Sequence, residues 1–337
     1  MRIRQITDSS EWDTTLLSHP QAHPLQTWGW GEVKKAAGWK AVRLAGFNDN
    51  NTLHAAAQLL IRSVPHTPFS MLYIPRGPVI QPDDREGMAE LLEHIKIYAK
   101  NFGAIFLKTD PAWPAGTAHT LEDMRFHLSR ETIQVSETYT IDLTKSAEDI
   151  LAGMRSKTRQ YIRKAEREGA EIIRDQTGTM LDTVYEIYAQ TSRRAKFGLH
   201  PAQYYKDIFR LYNPSNQYLY IASVNGQPAA FLWMACAGKF AVELYGGVSD
   251  SGQEYKSNFL LKWRAIQDMQ AAGYTVYDLN GRVNEGISQF KEGFGPDATE
   301  WVGSYDLVYN SLLYQGWTRT LPFAKRILAK SDTHSGE

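Results

Sequence analysis

The chain has 337 residues, enough for about two domains. It is 43% hydrophobic and 12% aromatic, apolar enough to offset the entropy of ordering, which excludes an intrinsically disordered protein. Basic and acidic residues number 37 each, so the net charge is zero and any nucleic-acid contact must come from a local patch.

The N-terminus, Met1-Arg2-Ile3-Arg4-Gln5-Ile6, lacks the apolar core of a secretion signal. No stretch approaches the roughly 18 apolar residues of a membrane span. Both features predict a cytoplasmic protein. Residues 39–47 and 53–61 read as a hairpin around the Asn/Asp cluster at 48–51, and 71–75 as a further strand. Apolar residues at helical spacing (Met88, Leu91, Leu92, Ile95) predict a helix over 83–102, and 104–110 is a strand ending on Asp110.

A basic helix is predicted over 149–168, stopped by Gly169, with Arg155, Lys157, Arg159, Arg163, Lys164 and Arg167. A second helix is predicted over 180–194. The first pattern then returns. Residues 218–222 and 227–235 form a hairpin around Asn225-Gly226, 240–245 a strand, 258–272 a helix, and 274–279 a strand that again carries an aspartate, Asp278. Hairpin, strand, helix, strand, twice over, is a duplicated α/β unit. The order fits two tandem domains of the Gcn5-related N-acetyltransferase (GNAT) fold. That is a statement about architecture, not function.

The lone cysteine, Cys236, lies in the apolar run 231–236. It excludes an intrachain disulfide and a multi-cysteine zinc site, and reads as a buried small side chain. No metal site is expected. The final stretch, residues 321–337, spaces apolar and basic residues in a way that suits either a surface helix with a frayed end or a peripheral membrane contact.

An acetyl-CoA-dependent enzyme of this fold cradles pyrophosphate on backbone N–H groups at a Gly-rich helix start. The corresponding stretches here are Arg76-Gly77-Pro78-Val79-Ile80-Gln81-Pro82 and residues 249–258. In the first, prolines remove donors. The second has one glycine and two acids. Coenzyme A is not expected, nor any other cofactor, and the acyl donor must be something else.

Several ordered segments resemble the Fem family (FemA, FemB and FemX type) of aminoacyl-tRNA-dependent transferases that build peptidoglycan bridges. They are Gln26-Thr27-Trp28-Gly29-Trp30-Gly31-Glu32-Val33-Lys34, Tyr73-Ile74-Pro75-Arg76-Gly77-Pro78, Leu107-Lys108-Thr109-Asp110-Pro111, the basic stretch 157–165, Leu244-Tyr245-Gly246-Gly247-Val248-Ser249, Tyr277-Asp278-Leu279-Asn280-Gly281 and Ser288-Gln289-Phe290-Lys291-Glu292-Gly293-Phe294-Gly295. Each motif alone is weak, but the ordered set spans about residues 25 to 310. The chain is similar to the shorter FemX-type arrangement, because no long charged helical hairpin is visible.

The resemblance implies transfer of an amino acid from aminoacyl-tRNA to the stem-peptide amine of a precursor, lipid II or UDP-MurNAc-pentapeptide. The reaction would be direct, by a monomer, without cofactor or covalent enzyme intermediate. It implies that Phe290 and Lys291 meet the tRNA acceptor end, with Lys291 stabilising the oxyanion and Phe290 stacking on the terminal adenine. Gly293 and Gly295 would let the RNA backbone approach. It also implies precursor contacts at Lys34, Arg76, Asp110, Tyr204 and Tyr245, with Asp110 a candidate base. Arg159 and Arg163 are candidate tRNA contacts on the basic helix.

The residues alone also allow other readings: Lys291 as a solvated lysine in a tight turn, Lys34 as a surface lysine, Asp110 as a turn cap, Tyr245 as a half-buried strand tyrosine, and the basic helix as a solvated face. One position departs from the family pattern. His200 stands where members often carry an arginine, four residues before Tyr204-Tyr205. A bidentate phosphate contact would be replaced by a weaker, pH-dependent one.

Residues 1–140 plus 311–337 are expected to form the precursor-binding domain, and 141–310 the aminoacyl-tRNA domain. The rival readings are an N-acyltransferase of the same fold acting on another amine, and a non-catalytic protein that binds RNA or precursor.

Overall fold

The computed structural model describes residues 1–281 and 285–319. The amphipathic stretch 321–337 lies outside the described residues. Two compact units form. Unit 1 takes Met1–Gln5, Trp39–Gln134 and the described residues from Val302, and unit 2 takes Ile6–Gly38 and Val135–Trp301. This grouping differs from the expected boundaries at residues 6–38, 135–140 and 302–310.

Unit 1 is one seven-stranded sheet built from β1 (Arg2–Gln5), β2 (Lys40–Phe47), β3 (Leu53–Ser63), β4 (Ser70–Ile74), β5 (Ala104–Thr109) and β6 (His127–Leu128), together with β14 (Tyr305–Val308). The order is β1-β2-β3-β4-β5-β14-β6. Only β4 and β5 run parallel among these pairs. A parallel pair needs a crossover, and the helix Arg85–Asn101 supplies it. Its Asp84 cap accepts from the Gly87 amide, and Met88, Leu91, Leu92 and Ile95 are buried in the core of the unit.

Unit 2 repeats this plan with β7 (Glu137–Asp142), β8 (Glu171–Asp175), β9 (Gln217–Val224), β10 (Gln227–Ala237), β11 (Phe240–Val248), β12 (Val276–Asp278) and β13 (Asp297–Glu300), in the order β13-β7-β12-β11-β10-β9-β8. The parallel pair here is β11 with β12. The interior strand β10 is covered on both faces, which explains its continuous apolar run. Ala230, Leu232, Met234 and Cys236 face a core built with the helix Ser257–Ala271. Phe231, Trp233 and Ala235 face another, built with the helices Leu181–Ala195 and Ala202–Leu211. The strand period of two sorts the side chains. Burial pushes the Cys236 thiol up to about 12, so it remains an inert core group.

Two features of unit 2 position the site. First, the helix Trp28–Ala36 packs on the helix Ala202–Leu211. Gly29 makes this approach: a Cβ there would stand 2.8 Å from the Leu211 carbonyl oxygen. Leu25, Trp30 and Val33 thereby join the core of Tyr205, Ile208 and Tyr212, which ties residues 6–38 to this unit.

Second, the helix expected over 149–168 is two helices, Ala147–Gly153 and Ser156–Arg167. Met154 between them is extended, with ψ at 150°. The Arg155 amide donates 2.9 Å to the Gly293 carbonyl, and Gly295 comes against the Gly153 carbonyl. A tertiary contact has overridden local helix propensity.

Candidate active site

Unit 2 opens a cleft of about 940 Å³ where β11 runs on past β12. Its lining includes Glu243, Tyr245, Lys262, Phe290 and Lys291.

Lys291 sits in the last turn of the helix Glu285–Glu292, not in a tight turn, and its side chain is buried. Asn280 and Gly281 both have positive φ, 54° and 90°. This left-handed turn directs two carbonyl oxygens at Lys291, which donates 3.1 Å to Asn280 and 2.7 Å to Gly281. Burial lowers the Lys291 pKa to about 8; Glu243 and Asp278 pull it up and Lys262 pushes it down. The group is therefore a cation at neutral pH that gives up its proton slightly above it.

The neighbouring glycines do not face the cleft. A Cβ on Gly293 would stand 2.5 Å from the Thr158 hydroxyl, and one on Gly295 2.3 Å from the Gly153 carbonyl. Both serve close packing of the chain on itself, which corrects the expectation that they admit RNA backbone. Phe290 is half-buried, with its ring 4.9 Å from Phe259 and 5.4 Å from Phe294.

A buried ion pair in this cleft was missed by sequence reasoning. The Lys262 ammonium lies 2.5 and 2.7 Å from the two Glu243 oxygens, and the Tyr277 hydroxyl donates 2.8 Å to the first of them. Removing one member of such a pair typically costs about 3–5 kcal/mol, because the other charge is left buried. The available signal was a charge inside each of two apolar runs, 240–245 and 260–263.

Four of the expected precursor contacts come together in unit 2. Lys34 donates 2.9 Å to the Tyr204 hydroxyl and lies 4.4 Å from the Trp30 ring. The His200 ring lies tilted against Tyr204, the centroids 4.2 Å apart. Tyr204, Tyr205 and Tyr245 form a chain of edge-on rings at 5.7 and 5.2 Å. Tyr245 also lines the cleft that holds Lys291. Burial raises its phenol well above the ordinary range, so it stays protonated. Burial, and then the Lys34 charge, hold the His200 imidazole below its ordinary pKa.

Asp110 and Arg76 meet in unit 1. Asp110 is fully buried and accepts from the Tyr73 hydroxyl at 2.8 Å, the Arg76 amide at 2.8 Å and the Gln134 amide at 3.3 Å. Burial lifts its carboxyl to about 6, against the Arg76 charge and these donors.

On the basic helix, Arg159 donates to the carbonyls of Ala152 and Met154 and so caps the preceding helix. Arg155 pairs with Glu292 at 2.8 Å, and Lys164 donates to the Glu254 carbonyl. Arg163 is exposed. In the loop where coenzyme A would be cradled, Ser249 accepts from the Gly252 amide, and a short helix, Asp250–Tyr255, precedes Ser257.

The two units are tandem GNAT-like domains, and unit 2 opens onto a buried lysine. The tandem GNAT protein of the clavulanic acid biosynthesis pathway shares the fold at a TM-score of 0.51 and 12% identity, over 91% of this chain and 98% of that one. FemX superposes at a TM-score of 0.85 and 22% identity, over 94% of this chain and 99% of that one. The lipid II:glycine glycyltransferase of Staphylococcus aureus (strain USA300) is 25% identical, over 94% of each chain. Residues 7–125, 115–228 and 227–319 match the FemAB family, and the chain belongs to it. It is an enzyme, an aminoacyltransferase.

Proposed function

We propose that this enzyme acts in peptidoglycan bridge synthesis, moving an amino acid from aminoacyl-tRNA to the stem-peptide amine of a lipid-linked or UDP-linked precursor. The observation that carries this reading is Lys291, a buried cation held by two backbone carbonyls beside an open cleft. Attack of an amine on an ester carbonyl builds negative charge on oxygen. A preorganised cation in a partly desolvated site stabilises that charge more than water does.

In this reading Lys291 meets the oxyanion and Phe290 stacks on the terminal adenine. Arg163 touches the tRNA backbone. Lys34, His200, Tyr204 and Tyr245 receive the phosphates and peptide of the precursor. The acceptor amine must be neutral and Lys291 charged, so the rate rises with pH until Lys291 deprotonates near pH 8. The enzyme works as a monomer in the cytoplasm, where aminoacyl-tRNA is made. Among the described residues, no helix is long and apolar enough to cross a membrane.

The test is transfer of radiolabel from aminoacyl-tRNA to UDP-linked or lipid-linked pentapeptide, sensitive to RNase. Lys291→Ala is expected to lower kcat by about 10²–10³ in a protein that still folds, with a lower melting temperature because the Asn280 and Gly281 carbonyls lose their donor. A folded Lys291→Ala protein with full activity would exclude the mechanism, and no RNase-sensitive transfer by the native enzyme would exclude the donor.

A further inference from the structure

Glu243, Lys262 and Tyr277 have no part in the transfer as set out above, yet they lie against its central residue. Lys262 is buried near the middle of the helix Ser257–Ala271, Glu243 on β11 and Tyr277 on β12. Through Glu243, which accepts from both Lys262 and Tyr277, the ammonium is linked to two strands. It does more: the Lys262 nitrogen lies 5.2 Å from the Phe290 ring and 5.5 Å from the Phe294 ring. Those two residues bracket Lys291 in the chain. Phe259, three residues before Lys262, packs on both rings, at 4.9 and 5.9 Å.

We propose that Glu243 and Lys262 are positioning residues for Lys291: the pair grips Phe290 and Phe294 and so fixes where the Lys291 ammonium stands in the cleft. The proposal rests on the role given to Lys291 above. Packing alone does not call for charge here, because apolar side chains of the same size fill such space at a lower desolvation cost. A cation held by a carboxylate fixes two aromatic faces in a way that an aliphatic side chain does not. The pair also sets the local field. The groups facing Lys291 are Glu243 from β11, Asp278 from β12, Lys262 from the helix, and the carbonyls of Asn280 and Gly281; Glu243 acts more strongly than Lys262. Losing both partners therefore removes more stabilisation of the Lys291 cation than repulsion.

The experiment uses the full chain with the double substitution Glu243→Gln/Lys262→Met, which keeps size and removes both charges. Its melting temperature is expected to stay near that of the native enzyme. Its kcat is expected to fall on the order of tenfold to a hundredfold through misplacement of the lysine, with KM for the precursor little changed. The alkaline limb of its rate profile is expected to move to lower pH. A double variant that melts, turns over and titrates like the native enzyme would overturn the proposal. Should the double variant fail to fold, Tyr277→Phe decides: it deletes one hydroxyl that orients Glu243 and keeps the ring. A severalfold fall in kcat at unchanged KM supports the positioning role, and native kcat overturns it. Failure of the Lys291 reading itself is seen separately, as full activity of Lys291→Ala.

Discussion

In unit 1, β4 stops at Ile74, level with its parallel partner Thr109, and Pro75 prevents the ladder from continuing. In unit 2, β11 is last paired to β12 at Val242 and then continues to Val248. The two units share the order of five strands, β1-β2-β3-β4-β5 and β8-β9-β10-β11-β12, yet the consequences at this point are opposite. Where β4 stops, Tyr73, Arg76 and Gln134 close around Asp110, whose carboxylate accepts from the Tyr73 hydroxyl and the Arg76 and Gln134 amides. Where β11 continues, it runs beyond its pairing with β12 and the polar groups line a cleft. Chemistry follows from the second arrangement, because a reacting group must find donors and charges that are held in place but reachable. The length of one strand decides which unit has them.

The sharpest way to break this comparison is through Asp110. Its carboxyl is raised from an ordinary 3.8 to about 6 in the folded chain, chiefly by burial. A folded value above the unfolded one means that the folded state holds an extra proton between those two values. Stability therefore falls as pH rises through that window and is lowest above it, and the integrated loss is about 3 kcal/mol. Asp110→Asn cannot ionise. Its unfolding free energy relative to the native chain should rise by about 2.4 kcal/mol between pH 4 and pH 7, as read from urea titrations at each pH. A difference that stayed constant with pH would mean the site is solvated, and the contrast of closed with open would be lost.

The next effect belongs to the open unit. Gly295 has φ at 69°, and a Cβ would stand 2.3 Å from the Gly153 carbonyl. Gly295→Ala should cost about 1–2 kcal/mol for the left-handed conformation alone, with a further loss from the clash. Because residues 293–295 anchor the end of the helix that carries Lys291, kcat should fall even at temperatures where the variant is fully folded. A variant that lost stability and kept kcat would uncouple the anchor from the lysine.

Much of this was legible in the sequence because it depended on local pattern. The two hairpins around Asn48–Asn51 and Asn225-Gly226, the apolar period of the helix Arg85–Asn101 and the buried run of β10 are each written within a dozen or so residues. The resemblance of ordered motifs supplied Lys34, Tyr204, Tyr245 and Lys291, and the fold brings the first three side by side. What was not legible depended on pairs distant in the chain. Assigning residues 6–38 to the second unit required knowing that Gly29 admits the end of the helix Ala202–Leu211. The break at Met154 required the Arg155 amide to find Gly293. The Glu243–Lys262 pair required the register of a helix against a strand, which neither period contains. Charge within an apolar run marks such a residue as unusual but does not name its partner.

The smallest effect tests the same contrast within a single helix. Arg159 turns inward to cap the carbonyls of Ala152 and Met154, whereas Arg163, one turn later, faces solvent. If exposed charge is what meets RNA phosphate, the two should separate cleanly in a salt titration of aminoacyl-tRNA binding. Arg163→Ala should reduce the slope of log affinity against log salt by about 1, the loss of one phosphate contact. It should leave the melting temperature unchanged, because a surface substitution away from special features stays within about 0.5 kcal/mol. Arg159→Ala should do the reverse, lowering the melting temperature through two uncapped carbonyls while keeping the slope. Equal slopes for Arg163→Ala and the native enzyme would remove this helix from the tRNA path and leave recognition of the donor to the cleft that holds Phe290 and Lys291.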